Sequence, residues 1–190
     1  MSEEVFTYRL DGGDTIVALS DNWHAFAVSN DWGAEVAADA IVGRKLWDFI
    51  RDPETRHVYA ELFKRVRDGQ PPRAIPFRCD SPQERRYLEL LIEALPDGGL
   101  AITSRILRTE SRSHVSLLDA GTARSAELIT ICSMCKKIKV SAERWAEIED
   151  GLGQLKLFEG GEMPQLSHGL CGACYNVAMG DLEDFKARGG

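Results

Sequence analysis

The chain has 190 residues, of which 44% are hydrophobic and 28% charged, and its formal net charge is −7. Such a composition belongs to a globular chain with room for one ordinary domain and a small second one. No stretch is basic enough to hold a polyanion by counterion release, and no apolar run nears the ~20 residues that cross a bilayer, so neither nucleic acid nor a membrane is an expected partner.

The Met-Ser-Glu-Glu start has neither a basic flank nor an apolar stretch of signal-peptide type, and a cytoplasmic location is expected. Residues 15–19 and 23–28 are β-branched and aromatic runs joined at Ser20-Asp21-Asn22, which predicts strand, turn and strand. An alanine-rich short helix is expected over 34–41, ended by Gly43 and followed by the apolar turn Leu46-Trp47-Asp48-Phe49-Ile50. Asp52-Pro53-Glu54 then opens the clearest helix, with Asp52 as cap and Pro53 at the first position. Val58, Tyr59, Leu62, Phe63 and Val66 recur along it at helical spacing, which predicts one buried side.

Beyond Gly69-Gln70-Pro71-Pro72 the period falls to two. Ile75, Phe77 and Cys79 alternate with Pro76 and Arg78, and Leu88, Leu90 and Ile92 alternate with Glu89, Leu91 and Glu93. Pro96-Asp97-Gly98-Gly99 is a hairpin turn, and 100–107 is the returning strand. The expected first unit, 1–108, is therefore α+β, an antiparallel sheet with helices on one face.

That order resembles the PAS domain, a sensory and interaction module of bacterial signalling proteins. The likeness rests on Trp23, Phe26-Ala27 and Asn30, on the turn Gly43-Arg44-Lys45-Leu46-Trp47-Asp48-Phe49-Ile50, and on the hairpin around Pro96. Trp23, Phe26, Trp47 and Phe49 are candidate linings of a small-molecule pocket, although an aromatic set of this kind is more often core. The resemblance also raises haem, held through a His of the long helix, or flavin, held through a Cys of the preceding turn. His57 lies on that helix, but a lone helical His is ordinarily a surface residue, and the turn contains no cysteine. The resemblance further implies protein partners and self-association into a homodimer.

Residues 109–127 are small and polar apart from Val115, Leu117 and Leu118, and are expected to be a linker. Nothing there sustains a heptad seam. Four of the five cysteines follow in two Cys-x-x-Cys pairs, Cys132/Cys135 and Cys171/Cys174. In a reducing compartment such pairs point to metal or redox chemistry before disulfides. Zinc takes four soft donors in a tetrahedron, and two residues between cysteines let one tight turn supply two of them. The second pair opens a helix expected over 175–185, whose positive end favours thiolate. Between the pairs, Trp145, Ile148 and Leu152 predict a small amphipathic helix over 141–152. The segment 128–190 is short for a core of its own, so bound zinc would contribute much of its folding free energy.

Ile131-Cys132-Ser133-Met134-Cys135-Lys136-Lys137-Ile138, Trp145, Ile148-Glu149 and Ser167-His168-Gly169-Leu170-Cys171-Gly172-Ala173-Cys174 resemble the cysteine-rich cassette that closes many bacterial sensory proteins. Together with Pro76-Phe77-Arg78-Cys79-Asp80-Ser81-Pro82, the chain is similar to PAS-like proteins of unassigned function that end in this cassette. Gly172 stands where the cassette has a proline. The implied module is a structural zinc site of treble-clef or zinc-ribbon type. His168, three residues before Cys171, can replace a cysteine as ligand, but with four cysteines present its expected role is to orient a thiolate.

The expected function is non-enzymatic: a signalling or adaptor protein whose first domain senses a ligand or partner and whose zinc module binds another protein. No nucleophile elbow, phosphate loop or paired carboxylates are visible. Two alternatives stay open, a thiol redox sensor or oxidoreductase using the Cys-x-x-Cys pairs, and a haem- or small-ligand-binding sensor. Cys79, in phase with Ile75 and Phe77, is by default a buried inert thiol.

Overall fold

Phe6, Tyr8 and Leu10 alternate with Thr7 and Arg9, and the segment Val5–Leu10 forms the first strand, β1. The computed structural model describes residues 5–23, 38–71, 74–157 and 162–186. A turn closed by Asp11, whose Oδ1 accepts from the N–H groups of Gly13 (2.9 Å) and Thr15 (2.8 Å), returns the chain into β2, Ile16–Leu19. The expected strand over 23–28 is not seen at its start, because the Trp23 N–H closes a turn onto the Ser20 carbonyl at 2.9 Å; its remainder lies outside the described residues. The strand at 5–10, which was not expected, takes its place beside β2.

A short helix α1, Ala38–Ile41, and a 3-10 turn, Leu46–Asp48, lead to the long helix α2, Pro53–Arg67. As predicted, Asp52 caps it: Oδ2 accepts from the Thr55 N–H at 2.7 Å. Thr55, Val58, Phe63 and Val66 are buried along one stripe. Three strands follow, β3 (Ala74–Arg78), β4 (Glu84–Ala94) and β5 (Leu100–Ser111). The first sheet is antiparallel throughout, in the order β2-β1-β5-β4-β3. Pro76, which has no N–H to give, sits on the edge strand β3, where a missing donor does no harm. Leu10, Ile16, Leu90, Ile92, Leu100 and Ile102 face Phe63 and Val66 of α2 in its core.

The polar stretch expected as a linker is partly something else. β5 runs on to Ser111, paired with Glu84, and a 3-10 turn at Ser116–Leu118 seats Val115 and Leu117 in a second core at 3% and 0% exposure. That core is completed by Ile129, Ile131, Ile138, Ile148 and Leu152. The isolated apolar cluster in a polar run is thus an anchor, drawn in by the area it buries.

The second sheet has the order β8-β7-β6-β9, from β6 (Arg124–Cys132), β7 (Ile138–Lys139), β8 (Trp145–Ala146) and β9 (Met163–Gly169). β6 and β9 run parallel, and the hairpin β7-β8 and helix α3, Ile148–Gln154, form the crossover between them. The helix expected over 141–152 is therefore confined to its second half. Trp145 is claimed by the sheet, in register with Lys139, because the Val140 N–H bonds the Arg144 carbonyl at 2.9 Å and folds the chain back before a helix can start. Helix α4, Gly172–Lys186, ends the described chain. No helix among the described residues is long and apolar enough to cross a membrane.

Candidate metal centre

β6 ends at Cys132, and the next residues turn sharply. The Cys132 N–H donates to the Lys137 carbonyl at 2.8 Å, and the Lys136 N–H donates to the Cys132 carbonyl at 3.1 Å. A reversal this tight puts Lys136 in the left-handed region, at φ 61°, and its Nζ folds back to the Ser133 carbonyl at 2.9 Å. The turn brings Cys135 alongside Cys132. The parallel partner strand β9 ends beside it at Gly169, and α4 begins at Gly172, so that Cys171 and Cys174 flank the helix start. A hydrogen bond of 2.8 Å from the Ser133 N–H to the Gly169 carbonyl ties the two turns together.

The four sulfurs consequently converge, all within 4.8 Å of one another. The Cys135 and Cys171 Sγ atoms stand 3.7 Å apart. Four thiolates at ~2.3 Å from a tetrahedral ion stand about 3.8 Å from one another, close to the separation of the Cys135 and Cys171 sulfurs. Backbone donors are aimed inward as well: the Cys171 N–H reaches Cys132 Sγ, and the Cys174 N–H reaches Cys171 Sγ, each at 3.4 Å. All five cysteines of the chain are free thiols. Cys132 and Cys171 are buried and the other two half-buried.

The crowding of the thiols shifts their titration. Hydrogen bonds from the thiols of Cys135 and Cys174, followed by backbone donors, hold Cys132 far below the ordinary thiol range. The same bonds, seen from the other side, push Cys135 up to about 12 and Cys174 higher still, with burial adding to both. Crowded sulfurs share their protons, and a cation must displace them to gain several thiolates at once.

The cradle is walled by the first unit. Cys132, Cys171 and Leu170 share an apolar cluster with Val58 and Leu62 of α2, joined by Met134, Trp145 and Tyr175. The Arg78 N–H, at the end of β3, donates to the Met134 carbonyl at 2.7 Å. The Arg78 guanidinium, 9% exposed, pairs with Asp80 at 2.5 Å and with Glu147 at 2.8 Å. Arg85 and Arg112 both reach Glu149 of α3, and Arg112 reaches Asp80. These partners were not foreseen. The nearest sequence signal is a neighbour outside that group: Arg86 is in phase with Leu88, Leu90 and Ile92, which puts a charge on the buried face of β4 near its start.

The other candidates do not meet at one place. His168 is exposed on β9 opposite Ile131 and is not a member of the sulfur cluster. Trp23 packs edge-on to Tyr8, and Trp47 packs against Phe63 while its Nε1 donates to Asp14 at 3.0 Å. Phe49 is exposed under the Arg44 guanidinium, and His57 is exposed on α2, off the stripe that faces the sheet. Phe26 lies outside the described residues. Cys79 is half-buried at the end of β3, and burial pushes its thiol up against the opposing charges of Lys136 and Arg86.

No family model matches the chain, and no curated protein matches it. Among solved structures it is similar to a domain of an HTR-like protein from Haloarcula marismortui ATCC 43049, at 18% identity and a TM-score of 0.34, over 55% of this chain and 98% of that one.

Proposed function

We propose that this chain is a zinc-stapled signalling or adaptor protein that works by association rather than catalysis. The observation that carries the metal is the convergence of four thiols from two distant turns within 4.8 Å. An all-sulfur tetrahedral set suits zinc, whose affinity for thiolate is high and whose filled shell imposes no competing geometry. Cys132, Cys135, Cys171 and Cys174 are the ligands, and His168 stays outside them. The bound ion neutralises the crowded thiolates and fixes the two turns against each other.

For the first unit the reading is a PAS-like sensory or interaction domain. Its support is the element order, two strands, short helical turns, one long helix and three strands, closed into a single antiparallel sheet. The surface it offers a partner, its use in a homodimer and a cytoplasmic setting belong to the same proposal.

Metal analysis of the purified chain, with the visible spectrum of the same sample, tests this reading. About one zinc per chain and a featureless visible spectrum are expected, and cobalt substitution gives the intense bands of tetrahedral thiolate ligation. A chain that holds no metal and whose cobalt spectrum stays octahedral would sink the proposal. Iron, haem or flavin colour would redirect it, and zinc-loaded thiols that react readily with peroxide would favour the redox alternative.

A further inference from the structure

We propose that α2 is a wall shared by the metal centre and the first sheet, so that metal binding and the packing of the first unit are thermodynamically coupled through this one helix. The proposal rests on the zinc reading and adds to it a route by which the state of one unit is felt in the other.

The helix has two contiguous buried flanks. Phe63 and Val66 close the core of the first sheet, with Tyr59 beside them. Val58 shares the apolar cluster of Cys132, Cys171 and Leu170, and Leu62 packs against both clusters. At 100° per residue Val58 and Leu62 fall on one margin of the stripe and Tyr59 and Phe63 on the other. A rotation or shift of α2 that suits one side disturbs the other, because packed interiors move between discrete arrangements.

Polar contacts fix the helix start to the cysteine turn as well. Asp52 Oδ2 accepts from the Thr55 N–H at 2.7 Å and from its Oγ1 at 2.6 Å, and the Thr55 and Ser133 hydroxyls lie 3.4 Å apart. Ser133 sits between the first two ligands. A Cβ added at Gly169 would stand 3.0 Å from Thr130 Cγ2 and 3.9 Å from Asp52 Oδ1, which measures how closely the cap of α2 approaches the strand that leads to the second pair. The Arg78 to Met134 backbone bond holds the same turn from the β3 side. By linkage, whatever changes the packing of α2 in the first unit changes metal retention, and loss of the metal loosens α2 in return.

Hydrogen exchange on the full chain, zinc-loaded and chelator-stripped, reads the coupling in one direction. Exchange in 53–67 is expected to accelerate at least tenfold on stripping, while the central strands 86–92 and 100–106 change less than threefold. The reverse direction is read by the rate of zinc transfer to a chromophoric chelator. Leu62→Ala and Thr55→Val, neither a ligand, are expected to release zinc about tenfold faster, and Thr55→Ser, which restores the hydroxyl, returns the rate to within twofold of the parent. Unchanged exchange in 53–67 after metal analysis shows the zinc gone, or parental release rates in both Leu62→Ala and Thr55→Val, would overturn the shared wall while leaving the metal site standing. A chain that never carries metal overturns both, and the metal analysis separates the two failures.

Discussion

Lys136 pays a conformational penalty in the left-handed region, where an L side chain costs roughly 1–2 kcal/mol, so the residue type there should matter through backbone more than charge. Lys136→Ile is expected to lower stability by about 1–2 kcal/mol in chemical denaturation, whereas Lys136→Gly stays within about 0.5 kcal/mol because relief of strain offsets the lost bond to Ser133. Equal midpoints for the two variants would contradict this. Arg78 is a different case, since its buried guanidinium pairs with the buried Asp80 and the half-buried Glu147, and its removal leaves Asp80 with Arg112 alone. Arg78→Ala should cost about 3–5 kcal/mol, read as a shifted denaturation midpoint at unchanged m. A loss below about 1 kcal/mol would show that Arg112 alone satisfies Asp80. At Glu149 burial would raise the carboxyl, but its own backbone N–H, Arg85 and Arg112 outweigh that and hold it below the ordinary carboxylate range. A group depressed on folding binds more protons when unfolded, so its stabilisation is complete at neutral pH and lost as the pH falls below about 4 toward the folded value. Glu149→Gln should flatten that acid limb of the stability curve, and a limb of unchanged slope would remove Glu149 from it.

Among the elements, α2 and β4 could be read from the chain because their signals are redundant: a cap, a proline at the first turn and a helical apolar stripe in one, strict alternation in the other. β1 escaped because Phe6, Tyr8 and Leu10 sit next to a charged start and carry their pattern over only six residues. Spacing toward Ile148 and Leu152 places Trp145 on a helix, yet a two-residue strand with a tight return needs no periodicity at all. The cysteines were legible because the ligand spacing is itself the chemistry; their seat against α2 was not, since nothing local in 53–67 distinguishes a flank facing the sheet from a flank facing sulfur. Helix α3 owes its close approach to β7 to a glycine: a Cβ on Gly151 would lie 2.5 Å from Ile138 Cγ1 and Cδ1. Gly151→Ala is expected to destabilise by about 1–3 kcal/mol despite its better helix propensity, and a stabilised variant would mean that Ile138 yields freely.

At the scale of the whole molecule the two sheets do not float on a tether, since α2, the Arg78 to Met134 bond and the arginine and carboxylate group all cross between them. Metal held at a thousandfold excess over its dissociation constant adds about 4 kcal/mol, which for a chain of this size is roughly 10 °C in melting temperature. Stripping zinc is expected to lower the melt by that order and restoring it to reverse the change; a melt indifferent to verified removal would argue against a stapling role. Order of synthesis follows from where the ligands lie. Cys135 precedes Cys171 by 36 residues. At about 5–20 residues per second the ribosome leaves the first dithiol without its counterpart for roughly two to seven seconds. During that interval its two thiols stand without the partners that α4 and the turn before it bring, so on the zinc reading metal capture is expected only once Cys171 and Cys174 have followed.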